Sequence, residues 1–196
     1  HKGNRILPDE HRSISAVLQG LKELARMTQD ATVRPRFQVL RSMLRYIDEY
    51  PEKLHHPKED EHLFARLVQR APGSALLVAE LQAEHERGAR LIRELERALL
   101  FLEEGWPAGS REFQQAVDDY AEFHWKHMRK EEVELLPLAE EHLTPEDWSK
   151  IDAAFDANLD PMAGIRERDF QALFSRIVSL APAPVGVGAP WKKSAA

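Results

Sequence analysis

His127-Met128-Arg129-Lys130-Glu131-Glu132-Val133-Glu134-Leu135-Leu136 sets an imidazole and a carboxylate four residues apart. On an α-helix such a pair lies on one face, one turn apart, and makes a bidentate grip for a metal ion. Seventy-two residues earlier the chain reads His55-His56-Pro57-Lys58-Glu59-Asp60-Glu61-His62-Leu63-Phe64, with His, Lys, Glu, an acid, Leu and a large apolar residue in the same relative places. Upstream, Glu10-His11 and Glu84-His85 correspond at an offset of seventy-four. Each opens onto a helical apolar pattern, Val17, Leu18 and Leu21 in one copy and Leu91, Ile92 and Leu95 in the other. The chain is therefore a duplicated helical pair. Each half supplies one His and then a His-x-x-x-Glu, forty-four residues on in the first half (His11 to His55) and forty-two in the second (His85 to His127).

The 196 residues, 43% of them hydrophobic, suffice for one substantial core and predict a single domain with appendages. The net charge is −6, and the basic residues are scattered among acids, so the electrostatic footprint of a nucleic-acid or membrane-surface binder is absent. With no cysteine, disulfides, thiolate zinc sites and iron–sulfur ligation are excluded, and His and carboxylate remain as the strong metal ligands. No run of about twenty apolar residues and no charged-then-apolar leader occurs, which predicts a cytoplasmic protein with no membrane span.

The apolar spacing predicts a helix over residues 9–29, with Asp9 as its N-cap and a stripe of Ile14, Leu18, Leu21 and Ala25 that carries His11 inward. A second helix starts at Arg34-Pro35 and leads through Phe37, Leu40, Leu44, Ile47 and Leu54 to His55. Pro51 and Pro57 predict a kink or brief break over residues 50–57. A third, capped by Ser74, spans 75–104 with His85 on the stripe of Leu77, Leu81, Gly88, Leu95, Leu99 and Leu102. A fourth follows the turn at 105–110 and aligns Phe113, Val117, Tyr120, His124, His127, Glu131, Leu135 and Leu138, with Pro137 bending its last turns. Short connections make these four an all-α, up-down-up-down antiparallel four-helix bundle over residues 1–143. Thr144-Pro145-Glu146-Asp147 opens a helical extension, 144–180, in two segments (148–157 and 161–180) split by Asn158-Leu159-Asp160 and packed outside the bundle. Residues 181–196, rich in Pro and Gly, read as a disordered tail or an extended arm.

His11, His55, Glu59, His85, His127 and Glu131 thus face one interior, where they must be metallated, hydrated or mutually bonded to avoid a cost of several kcal/mol. Six donors are too many for one tetrahedral zinc. They suit two octahedral ions about 3.5 Å apart, both glutamates bridging, with room for a shared oxo or hydroxo group and an incoming small molecule. Iron fits the donor set, with manganese as the alternative.

Over about residues 9–142 these elements, in this order, resemble the hemerythrin-like (HHE cation-binding) domains. The resemblance implies a carboxylate-bridged di-iron centre that binds dioxygen, nitric oxide or a related oxidant such as peroxide. It also implies that His11 and His127 serve one iron, His55 and His85 the other, and that Glu59 and Glu131 bridge. Two departures bear on function. Respiratory hemerythrins carry a second histidine one turn from the third-helix ligand, where this chain has Leu81 and Ala89. They also use His-x-x-x-x-Asp in the last helix, where it has His-x-x-x-Glu, with Glu132 at the longer spacing. A more open, more symmetric site than an oxygen carrier's follows. The pattern is closer to di-iron proteins that repair iron–sulfur clusters, without their cysteine-bearing N-terminal segment.

The remaining candidates read as follows. His124 is a second ligand shell or extra ligand, or a core histidine bonded to a backbone carbonyl. His56, His62 and His142 are solvated, as are Lys58 and Lys130. Tyr120 belongs to core packing, with donation to a metal-bound oxygen as its other role, and Gly88 leaves space for a diatomic ligand or for close helix contact. Three functions remain open: binding or sensing of a small oxidant, a di-iron oxidase or reductase or an iron donor for cluster repair, and a metal-free helical interaction module. A redox partner or a second copy of the chain is the expected further partner.

Overall fold

The computed structural model describes residues 3–156 and 167–194. Among these residues the chain is helical, with isolated β-bridges and no strand. Helix α1 (Gly3–Met27) buries Ile14, Leu18, Leu21, Leu24 and Ala25, and His11 with them. It begins six residues earlier than the cap reading of Asp9 predicts. Pro8 removes one N–H donor in the second turn, yet Leu7 is carried into a core cluster with Leu63, Leu67 and Leu81, and that burial outweighs one missing bond.

The second rod is not broken at its prolines. It runs as α2 (Phe37–Ile47), a π-helical stretch Asp48–His55, a turn of α-helix α3 (His56–Lys58), a second π stretch Glu59–Phe64, and α4 (Ala65–Arg70). The junction residues Asp48, His56, Glu59 and Ala65 all keep right-handed helical φ and ψ. The ladder slips instead of stopping, and the His56 N–H reaches the Pro51 carbonyl five residues back. In the fourth rod, α6 (Ser110–Lys130) passes through a π stretch Glu131–Leu135 into α7 (Leu136–His142), and the Leu136 N–H meets the Glu131 carbonyl, again five back. The third rod, α5 (Ala75–Gly105), is uninterrupted. Ser74 stands at its start, but its hydroxyl turns back to donate to the Ala71 carbonyl at 2.7 Å. Gly109, with φ of 87°, takes the left-handed conformation that opens α6.

The long helices pack as a bundle, α1 against α2 and α6, and α5 against α2 and α6. Its apolar interior is two separate clusters. One gathers Ile14, Leu18, Leu40, Met43, Ile47, Ile92, Leu95, Phe113, Val117 and Tyr120. The other gathers Leu7, Leu63, Phe64, Leu67, Leu81, Leu135 and Ala139 with α8. Along the rods the titratable residues fall where the two meet: His11 between Leu7 and Ile14, His55 and Glu59 between Ile47 and Leu63, His85 between Leu81 and Ile92, and His127 and Glu131 on either side of Met128, ahead of Leu135.

Helix α8 (Pro145–Asp156) packs on α1 and the π stretch Glu59–Phe64, burying Trp148, Ile151 and Phe155. Its start is a reciprocal cap. The Asp147 N–H donates to the Thr144 hydroxyl at 3.2 Å, and the Thr144 N–H donates to the Asp147 carboxylate at 3.1 Å. The same carboxylate accepts two bonds from Arg70, at 2.8 and 3.2 Å, which hold it well below the usual carboxylate range. The expected break at Asn158-Leu159-Asp160 lies outside the described residues, and α9 (Glu167–Leu180) packs on α2. Beyond it the chain is an ordered arm, which corrects the reading of 181–196 as a disordered tail for the described residues 181–194. Ala181 and Trp191 are buried, and the arm pairs with the α1–α2 connector, Arg34 N–H to the Lys192 carbonyl at 3.0 Å and Ser194 N–H to the Thr32 carbonyl at 2.7 Å. The connector's backbone groups need partners, and the arm supplies them.

Asp147→Ala removes both the cap and the Arg70 partner, and it is expected to lower unfolding free energy by about 1–2 kcal/mol in urea melts at neutral pH. Because the folded-state pKa is depressed below 3.8, the wild-type advantage over this variant should persist above that pH and shrink as pH falls below it. A difference unchanged at pH 2 would contradict the assignment.

Candidate metal centre

All six residues singled out by the repeat converge between the two apolar clusters. Glu59 and Glu131 are 0% exposed, and the four histidines are buried. The Glu59 carboxylate presents Oε1 to His55 Nε2 at 3.0 Å and to His11 Nε2 at 3.8 Å, and Oε2 to His85 Nε2 at 3.2 Å. Glu131 mirrors it, with Oε1 on His127 Nε2 at 2.8 Å and His85 Nε2 at 3.5 Å, and Oε2 on His11 Nε2 at 3.2 Å. Each glutamate therefore turns one oxygen to the pair His11 and His55 and the other to the pair His85 and His127. This corrects the pairing of His11 with His127 and of His55 with His85: the two imidazoles that share a carboxylate oxygen come from the same half of the chain.

The outer nitrogens are held as regularly as the inner ones. His55 Nδ1 bonds Glu10 at 2.6 Å, His127 Nδ1 bonds Glu84 at 2.7 Å, His11 Nδ1 bonds Glu132 at 2.9 Å, and His85 Nδ1 bonds Asp60 at 3.0 Å. With Nδ1–H donated outward, the neutral form of each imidazole would offer its Nε2 lone pair inward to a metal ion. These four carboxylates adjoin site residues in sequence. Their signal was the repeat itself, which aligns Glu10 with Glu84 and Asp60 with Glu132. Lys130, read as solvated, instead donates to Glu84 at 2.6 Å and Glu80 at 2.9 Å, and Lys58 donates to the Phe155 carbonyl at 3.1 Å.

The charge balance is that of a cation site. Burial depresses the imidazole of His55, but Glu59 and Glu10 outweigh it and raise its pKa to about 9. At His127 burial is overcome by Glu131 and Glu84, again to about 9, and at His85 by Asp60 and the two bridging-position carboxylates, to about 12. His11 is raised likewise by Glu131 and Glu132. Burial pushes Glu59 and Glu131 up, yet the surrounding imidazoles hold both below the carboxylate range. His11 Nε2, His55 Nε2 and all four oxygens of Glu59 and Glu131 are nevertheless buried without a hydrogen-bond partner. His85 and His127 face each other Nε2 to Nε2 at 2.9 Å, close to the ~3 Å between two cis nitrogens on an ion with ~2.1 Å bonds. A metal fits these donors, and two overlapping sets of four ligand atoms within 4.8 Å can each hold one: His11, His55, Glu59 and Glu131, and His56, Glu59, His85 and His127.

Three residues lie beside this centre. His56, read as solvated, is buried, because the wider π turns bring adjacent His55 and His56 both inward. His124 is buried, and neither of its nitrogens bonds a backbone carbonyl or anything else. Burial and neighbouring imidazoles hold His56 well below its ordinary pKa and His124 at about 3. Glu52, which the sequence did not single out, accepts the Tyr120 hydroxyl at 2.5 Å, and burial lifts its pKa to about 7 against that bond. Gly88 makes room for it, since a Cβ there would lie 2.9 Å from Glu52 Oε1. His62 and His142 are on the surface, as read.

A family model described as the Hemerythrin HHE cation binding domain matches residues 2–139. No curated protein matches the chain.

The raised imidazoles give the ion-free protein a pH signature. A group with folded-state pKa above its unfolded 6.5 stabilises below 6.5 and loses that contribution as pH rises through the folded value. The melting temperature of chelator-treated protein should therefore fall as pH rises from 6.5 to 9, through His55 and His127. Metal-loaded protein, whose ligands are already deprotonated, should lack this fall. Parallel pH profiles with and without metal would contradict the assignment.

Proposed function

The chain belongs to the hemerythrin HHE cation-binding family, and on that premise we propose that it is a non-heme di-iron protein that binds or senses a small oxidant, with manganese as the alternative metal. Its bundle is read as up-down-up-down, with His11 and His55 on one ion, His85 and His127 on the other, and Glu59 and Glu131 bridging. The observation that carries this is the division of each glutamate's two oxygens between the two histidine pairs. Mixed imidazole and carboxylate donors suit intermediate ions such as iron.

The bound ions would supply the Lewis acidity and the electrons that capture dioxygen, nitric oxide or peroxide. The chain's own residues set the conditions. His11, His55, His85, His127, Glu59 and Glu131 would hold the ions, and four protein donors per ion would leave room on each for a small ligand. Glu10, Asp60, Glu84 and Glu132 hold the imidazole tautomers and strengthen their basicity. The apolar clusters above and below keep bulk water from the centre, and Phe64 stacks on His85 with 5.5 Å between ring centroids.

The test is metal content per chain of protein made without a His-tag, read with its absorption in air and after reduction. Two irons, near-ultraviolet bands, and a new band when nitric oxide or dioxygen meets the reduced protein are expected. Sustained consumption of the oxidant with an added reductant would move the reading from binding to an oxidase or reductase. His127→Ala and Glu131→Ala should each lose metal about 10-fold or more in affinity and melt lower, while His62→Ala should do neither. Unchanged metal content in the first two variants would overturn the centre.

A further inference from the structure

Glu52, His56 and His124 form a second buried group that the duplication does not require. Their ligand atoms lie within 4.8 Å of one another. His56 Nδ1 and Glu52 Oε2 are 3.7 Å apart, and the rings of His56 and His124 have centroids 5.2 Å apart. Neither nitrogen of either imidazole has a hydrogen-bond partner, nor does Glu52 Oε2. Solvent does not reach them: His56 is 4% exposed, His124 1%, and the Glu52 side chain 3%.

The surroundings are arranged around this group. Tyr120 holds Glu52 by Oε1 and leaves Oε2 free. At the offset of the duplication Gly88 corresponds to Ile14, so the room that Ile14 fills on one side is given to the Glu52 carboxylate on the other. His56 corresponds to Met128, and Glu52 corresponds to His124, each three residues before a centre histidine. The group is thus built on one side of a centre that is otherwise symmetric. Unpartnered imidazoles and an unpartnered carboxylate oxygen in an apolar interior are costly unless something joins them.

We propose that Glu52, His56 and His124 hold one further divalent transition-metal ion, mononuclear and separate from the centre of His11, His55, Glu59, His85, His127 and Glu131. Two imidazoles and one carboxylate are a donor set suited to such an ion and leave coordination positions open. His56 does not serve the ion of His85 and His127, although it lies within reach of both. An imidazole keeps its ion in the plane of its own ring, and His56 lies face to face on His85, with 10° between planes and 4.1 Å between centroids. One ion cannot lie in both planes. His85 is fixed by Asp60 at one nitrogen and by the bridging-position carboxylates at the other. The rings of His56 and His124 are 26° apart and tied at no nitrogen, and their ligand atoms lie with that of Glu52 within 4.8 Å of one another.

The experiment loads chelator-treated full chain with Co(II), removes excess metal, and counts ions per chain alongside the visible cobalt bands. The expected result is three equivalents in the wild type, and one fewer in both His124→Gln and Glu52→Gln, with the remaining bands retained. Anomalous scattering from cobalt-loaded wild-type crystals reads the same site without any variant, and a third peak bounded by His56 and His124 is expected. Two equivalents in wild type and both variants, or a peak shared by His56 and His85, would overturn the proposal and leave the di-metal centre standing. A single wild-type equivalent lost in His124→Gln would instead uphold this site and remove the di-metal reading.

Discussion

Convergent charge in a dry interior is the constraint on which the rest of this bundle depends. Four imidazoles and two carboxylates meet in a buried layer, where His11 Nε2, His55 Nε2 and all four carboxylate oxygens are left without a hydrogen-bond partner. Everything around them manages that cost. An outer carboxylate takes each Nδ1, two apolar clusters close the layer from either end, and Lys130 in turn ties down Glu84. An apolar replacement of the layer would pack more easily. The layer is thus no source of stability by itself, and it is compatible with metal binding.

Backbone geometry answers to the same constraint. The π stretches Glu59–Phe64 and Glu131–Leu135 begin at the two bridging-position glutamates, one in each half, while the prolines that accompany them stand at Pro57 and Pro137. Proline lacks the donor that an α-turn requires, and a ladder that slips by one residue accommodates the loss without ending the helix. The slip also re-aims the side chains that follow. An uninterrupted α-helix would present His55 and Glu59 on one stripe and leave His56 on its flank; the widened turns bring all three inside.

Much of this was legible in the sequence. The repeat named all six centre residues, and helical spacing placed the four rods, because both signals are local and periodic. What it missed depends on contacts between rods. The pairing of His11 with His55 is set by how side chains from different rods meet at the two carboxylates, and no spacing within one helix reports that. Glu52 carries no signal of its own in the sequence, because Gly88 and Tyr120, which receive it, lie thirty-six and sixty-eight residues away. His56 was misread because a proline announces a break but not a π turn. For 181–194 the sequence leaves a disordered tail and an extended arm both open, because Pro and Gly composition speaks for an isolated segment, whereas Trp191 and the backbone of the connector give this one a place to bind.

The exchange of ligands between the halves has a consequence for how such a centre can be assembled. Each histidine pair belongs to one half, yet each pair needs an oxygen from the other half's glutamate, and Asp60 and Glu132 reach across to His85 and His11. Neither half alone completes even one set of donors. Two identical helical hairpins associated about a dyad would complete both, with every contact occurring twice. The centre has the arrangement that a homodimer of a half-length chain would build at its interface, and in a single chain the two sides of the dyad are free to differ, as Gly88 and Ile14 do.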